Sequence, residues 1–82
     1  MYKVTIEYCA VWHYTPRAVS LAADMLEKFE SQIENITLIP SSGGVYEITA
    51  NGKLIYSKKT SGRHAEPGEV VGLLEKLMKD GK

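Results

Sequence analysis

A chain of 82 residues with 44% hydrophobic content fits one small domain, residues 1–82, in which folding hides only about 60% of the surface that an extended chain exposes. Ten basic residues balance ten acidic ones, so the chain lacks the positive field used to neutralise phosphates or coat anionic membranes, and neither nucleic acid nor membrane is an expected partner. One cysteine excludes an internal disulfide and a zinc cage of cysteines, no apolar run nears the roughly 20 residues of a membrane span, and no signal-peptide core opens the chain, so a reducing, cytoplasmic setting is the expectation.

The first predicted element is a strand over residues 2–8, where Tyr2, Val4, Ile6 and Tyr8 alternate with Lys3, Thr5 and Glu7. Residues 9–14 have no period. Thr15-Pro16 then reads as an N-cap followed by proline at the first helical position, and Ala18, Leu21, Ala22, Met25, Leu26 and Phe29 form one helical stripe ending near Ser31. Residues 35–39 are short and β-branched, with Ile36 and Leu38 inward, and Pro40-Ser41-Ser42-Gly43-Gly44 stops them. Residues 45–50 and 53–58 alternate on either side of Asn51-Gly52, a pair suited to the two positive φ angles of a type I′ hairpin turn. A polar loop from residue 59 to 66 leads past Pro67 to a second stripe, Val70, Val71, Leu74, Leu77 and Met78, with Gly81 placed to end it.

The order βαβββα, with each strand apolar on one face, points to an α/β two-layer sandwich: a four-stranded mixed sheet with both helices on one side. The opposite face carries mostly polar residues, with Ile39, Val45 and Ile55 as an apolar patch suited to a homodimer. A strand–helix–parallel strand crossover places the loop after the first strand and the end of the second at one sheet edge, where ligands are favoured. Pairing the third strand antiparallel to the first brings residues 41–44 and 60–66 to that edge. The three loops hold the lone cysteine, the lone tryptophan, both histidines and Arg63.

Several ordered patterns resemble the selenoprotein W-like family, the small thioredoxin-like group also described as SelT/SelW/SelH or Rdx. They are Glu7-Tyr8-Cys9, Cys9-x-x-Trp12-x-Tyr14-x-x-Arg17-Ala18, Pro40-Ser41-Ser42-Gly43-Gly44-Val45-Tyr46-Glu47, Asn51-Gly52-Lys53-Leu54-Ile55, and Ser57-Lys58-Lys59 followed by Gly62-Arg63. The resemblance implies a thioredoxin-like fold and a redox role, with Cys-x-x-Cys or Cys-x-x-selenocysteine in the first loop. Here Cys9 matches the first member and Trp12 occupies the second, so the resolving step is lost within this chain. The tryptophan codon is one base from the cysteine codons and from the stop codon recoded as selenocysteine. Thioredoxin-like enzymes usually hold a cis-proline before the third strand, and Gly44 stands there instead.

Each candidate has a functional and a plain reading. Cys9 is a nucleophile helped by the following helix dipole, or a small buried hydrophobe. Trp12 covers the thiol or contacts a partner, or packs on Tyr14. His13 is a base for Cys9 or a solvated loop side chain, and the same holds for His64; the two histidines with Cys9 lack any zinc-ligand spacing. Ser41, Ser42, Gly43 and Gly44 offer backbone N–H groups to a glutathione carboxylate, or form a simple turn. Lys58, Lys59, Arg63 and His64 form a basic patch for a carboxylate or phosphate, or a solvated loop. The expectation is a monothiol redox protein without a bound cofactor, in which Cys9 accepts glutathione as co-substrate or a protein thiol. The rival is a non-catalytic binding module led by Trp12.

Overall fold

The computed structural model describes residues 1–80. Four strands, β1 (Tyr2–Cys9), β2 (Ile33–Ser41), β3 (Tyr46–Ala50) and β4 (Lys53–Ser57), form one sheet in the order β2-β1-β3-β4. β1 runs parallel to β2 and antiparallel to β3, and β3 is antiparallel to β4, which makes the sheet mixed. Helix α1 (Thr15–Phe29) and a 3-10 turn (Glu30–Gln32) form the crossover from β1 to β2; α2 (Lys58–Ser61) and α3 (Glu69–Lys79) follow β4. The arrangement is the thioredoxin-like two-layer sandwich that the sequence led us to expect.

Both long helices pack on one sheet face because their apolar stripes have nowhere else to hide. Ala18, Leu21, Met25 and Phe29 of α1 and Val70 and Leu74 of α3 meet Val4, Ile6, Tyr8, Tyr46, Ile48, Ala50 and Tyr56 in a single core. Ile6 faces Ile48 across the two central strands, and Ile48 faces Tyr56 on the next. Leu26, placed in the stripe by its spacing, lies instead at the rim and is exposed.

Several boundaries differ from the sequence reading, each for a local reason. Thr15 is the first helical residue rather than the N-cap; Tyr14 is the cap, its carbonyl accepting from the Ala18 N–H, and no side chain caps this end. β2 continues through Pro40 to Ser41, opposite Tyr8 and Cys9. Proline is tolerated there because β2 is an edge strand and one side of its backbone needs no ladder partner. The supposed loop after β4 begins as the short helix α2: Ser57 Oγ accepts from the Thr60 N–H at its start, and Gly62 ends it with φ of 76°. Gly81, the expected stop of α3, lies outside the described residues, and the helix ends at Lys79.

The Asn51-Gly52 turn has φ of 52° and 81°, the two positive values a type I′ turn requires. The ladder then slips by one residue between Ile48 and Thr49, so that Ile55 bulges out between Leu54 and Tyr56. This corrects the expected open-face patch: Ile55 packs against the core, and Leu54, opposite Thr49, is 51% exposed in its place. Ile39 remains exposed, but it sits on β2 while Leu54 sits on β4. Three strand spacings, about 14 Å, separate them, so the two do not form a continuous apolar surface.

Candidate functional site

β1 delivers Cys9 to the sheet edge and the chain then turns tightly through residues 10–14. The Tyr14 N–H donates to the Cys9 carbonyl at 3.0 Å and the His13 N–H to the Ala10 carbonyl at 3.1 Å. His13 takes φ of 61°, a left-handed conformation that lets the chain enter α1 directly. Two further bonds tie this loop to the two ends of the Ser41–Val45 segment: the Cys9 N–H donates to the Val45 carbonyl at 2.9 Å and the Ala10 N–H to the Ser41 carbonyl at 3.0 Å. The Cys9 thiol is therefore fixed beside the glycine turn, as the topology required. It is also fully covered, at 0% exposure, and its sulfur accepts the Trp12 N–H at 3.3 Å.

Position 12 thus sits with its backbone against the sulfur while its side chain reaches outward. Trp12 is 58% exposed and Val11 beside it 67%. The indole lies over buried Gly44, where a β-carbon would stand 2.8 Å from Trp12 Cζ3, and Gly44 has φ of 72°, so both space and backbone conformation demand glycine at that position. The backbone there contains no cis peptide bond.

Behind Trp12 the aromatic rings form a connected cluster. The Tyr14 ring meets Trp12 edge-on at 6.2 Å between centroids, His64 at 4.5 Å and Tyr46 at 6.4 Å. Tyr46 reaches Tyr56 in turn at 6.5 Å and donates its hydroxyl to the Arg17 carbonyl at 3.3 Å. The Lys58 ammonium lies 6.0 Å from the centre of the Tyr14 ring. These contacts bring the third loop to the first, so Cys9, Trp12, Tyr14, Ser41, Gly44 and His64 do converge.

Other sequence candidates stand apart from the thiol. Ser42, Gly43 and His13 are exposed, and the sulfur's polar partner is the Trp12 amide rather than an imidazole. Arg63 is not a free cation: its guanidinium grips Glu69 through two bonds of 2.8 and 2.9 Å and also donates to the His64 carbonyl. This corrects its assignment to an open basic patch. Tyr46 and Arg17 were missed as site residues. Strand alternation places Tyr46 on the core face at the correct edge, but only the packing of α1 on the sheet shows that its hydroxyl meets the start of that helix. Among the described residues no group of three His, Cys, Asp or Glu side chains is placed to hold a metal ion.

The charges around this rim follow from those contacts. Burial lowers the proton affinity of His64, and the nearby charges of Arg17 and Lys58 lower it further. Burial raises the Tyr46 pKa against the opposing effect of Arg17. The hydrogen bonds from Arg63 and the Glu66 backbone pull Glu69 from 4.5 to about 2. A carboxyl depressed on folding contributes stability that is present above its unfolded pKa and disappears as pH falls through the folded value. The unfolding midpoint in urea is therefore expected to fall between pH 4.5 and about 2 partly through this group. Glu69→Gln should flatten that part of the profile, and an unchanged profile would remove the pair from the acid response.

Residues 3–76 match the Rdx family. Selenoprotein W of Danio rerio is 37% identical over 59 residues, which cover 70% of this chain and 67% of the relative. A crystal structure of a selenoprotein W-related protein from Vibrio cholerae superposes with a TM-score of 0.87 at 29% identity, covering 93% of this chain and 95% of the other. A crystal structure from Bordetella parapertussis, at 24% identity, gives a TM-score of 0.86 over 92% of this chain and 95% of that one, which supports the fold alone.

Proposed function

The chain belongs to the Rdx family, and from that premise we propose that it is a thiol-redox protein working through Cys9 alone. The observation that supports this most directly is the Cys9 sulfur facing the amide of residue 12 at the meeting point of the first and second loops. That is the turn in which a Cys-x-x-Cys pair would sit, with one partner replaced by Trp12.

In the reaction, the Cys9 thiolate attacks one sulfur of a disulfide; a Cys9–sulfur bond forms as the old sulfur–sulfur bond breaks, and the other sulfur departs as a thiolate. An outside thiol then attacks the mixed disulfide and releases Cys9. In the peroxide branch, Cys9 takes one oxygen to become a sulfenic acid while the peroxide leaves as water, and condensation with glutathione or a protein thiol expels a second water. Because the sulfur is buried, either route begins with movement of residues 10–14. The Trp12 ring resting on Gly44 holds that loop down.

Exposed Val11 and Trp12 favour a protein as the thiol donor, since paired apolar side chains at a loop tip can dock before the sulfurs meet. No helix among the described residues is long and apolar enough to cross a membrane, and a cytoplasmic, reducing location suits an unpaired thiol.

The test is reaction of the native protein with oxidised glutathione, followed by intact mass. A single glutathione adduct on Cys9 that a dithiol removes is expected, and Trp12→Ala should accelerate both this and alkylation by at least about tenfold, because the covering loop loses its anchor. A thiol that stays unmodified in both proteins until urea is added would leave only the docking role of Val11 and Trp12.

A further inference from the structure

The two edges of the sheet are finished differently. β4 is 5 residues long, opens on Lys53, is interrupted by the bulge at Ile55 and runs straight into α2, features that blunt an edge against further pairing. β2, the opposite edge, is 9 residues long and carries no charged side chain after Glu34. The Ser41 carbonyl accepts from Ala10 on the β1 side, so by alternation residues 35, 37, 39 and 41 turn their backbone groups inward. Ile36, Leu38 and Pro40 turn theirs to the open side.

Two defects bound this open run. Glu34 is an extra residue, because Tyr2 pairs with Ile33 and Lys3 with Asn35, and Pro40 has no N–H. Thr37 lies midway between them. Around a two-fold axis at Thr37, an antiparallel second copy sets its Leu38 opposite Ile36 and its Ile36 opposite Leu38, each pair exchanging both backbone hydrogen bonds. The bulge of each copy then falls opposite the proline of the other, outside the paired run. A register shifted toward the proline leaves the Ile36 carbonyl facing Pro40 without a donor, and a shift the other way sets Leu38 against the bulge.

The side chains suit the same pairing. Ile36 and Leu38 are half-buried on the helix side of the sheet. One flank of α1 meets α3 through Lys28 and Glu75, and the opposite flank, on the β2 side, carries Ala22, Val19 at 51% and Leu26 at 39% exposure. The chain has no net charge, so two copies approach without overall repulsion. Residues 35–41 give an edge about 23 Å long at ~3.3 Å per residue. With a depth of 20 Å, each copy covers roughly 460 Å², an area that places the pair among weak, transient interfaces.

We propose that β2 pairs with β2 of a second copy of this chain, centred on Thr37, in a reversible two-fold dimer with one continuous sheet. Antiparallel pairing sends the two Cys9 rims to opposite ends of the joined strands. The dimer therefore carries two separate thiol sites and contains no Cys9–Cys9 disulfide, and it does not depend on the redox reading above.

Sedimentation equilibrium in the presence of a dithiol, from about 10 μM to about 1 mM protein, should show a monomer–dimer equilibrium that Cys9→Ser leaves unchanged. Thr37 is exposed and meets its own copy at the axis, about 4.5 Å away at Cα. Thr37→Lys and Thr37→Glu should therefore each weaken dimerisation by about tenfold or more, while an equal mixture of the two restores it as a mixed dimer. Equal urea midpoints for the three proteins show that the fold is intact. A chain that stays monomeric at about 1 mM, single variants that dimerise as before, or a mixture that does not recover would overturn the proposal.

Discussion

A Trp12→Cys variant is expected to form an intramolecular disulfide with Cys9 on mild oxidation, losing two hydrogens in mass, blocking alkylation at both sulfurs and reverting with a dithiol. The backbone is already arranged for it. Residue 12 places its N–H 3.3 Å from the Cys9 sulfur, and the bonds from His13 to Ala10 and from Tyr14 to Cys9 close the turn around the pair. Residues i and i+3 of such a turn lie within about 7 Å at Cα, inside or close to the range a disulfide bridges. Resolution of a mixed disulfide would then no longer wait for an outside thiol. With an effective local concentration on the order of millimolar or more, turnover of a small disulfide should rise by about tenfold or more over the unaltered chain at micromolar external thiol. Measured by free-thiol titration and intact mass, two thiols that persist through oxidation would show that the turn does not hold the geometry of a dithiol pair.

The second large effect is expected in the core. Ile48 is fully buried on a central strand, between Ile6 and Tyr56. Truncating such a residue to alanine destabilises by about 2–5 kcal/mol, through lost burial and the cavity left behind. A domain of this size lies toward the lower end of a total stability of about 5–15 kcal/mol, so Ile48→Ala should be largely unfolded on modest warming. Its Cys9 should alkylate at nearly the rate seen in urea, since the shield over that sulfur exists only in the folded state. Leu54→Ala, at a half-exposed position on β4, should change stability by less than about 0.5 kcal/mol. Equal losses for the two, measured by urea denaturation, would contradict the placement of the core.

The difference between Ile48 and Leu54 also shows where sequence reading stops. Alternation alone gives both residues comparable apolar character in neighbouring strands. The assignment of Ile48 to the core follows from its phase with Tyr46 and Ala50, all three of which are buried. On β4 the phase is broken by the bulge at Ile55, an interruption set by pairing with β3 and by the tight Asn51-Gly52 turn, and no property of Ile55 itself announces it. Pro40 is similar: as a residue it reads as a stop, and it becomes a strand residue because β2 lies at the sheet edge.

The site divides along the same line. The lone sulfur, its position after the first strand, the spacing to Trp12 and the turn chemistry of Gly43 and Gly44 are covalent or local facts, so the chain alone determined the fold class and the place where any thiol chemistry must occur. Which side chains surround that place was decided by packing between elements far apart in sequence. Tertiary structure pairs Arg63 with Glu69 and brings His64 to Tyr14. It also closes the Trp12 ring over Gly44 and seals the thiol beneath the loop. Periodicity specifies the direction of a side chain relative to its own strand or helix, whereas burial and charge pairing depend on distances between strands and helices that only the assembled sandwich fixes.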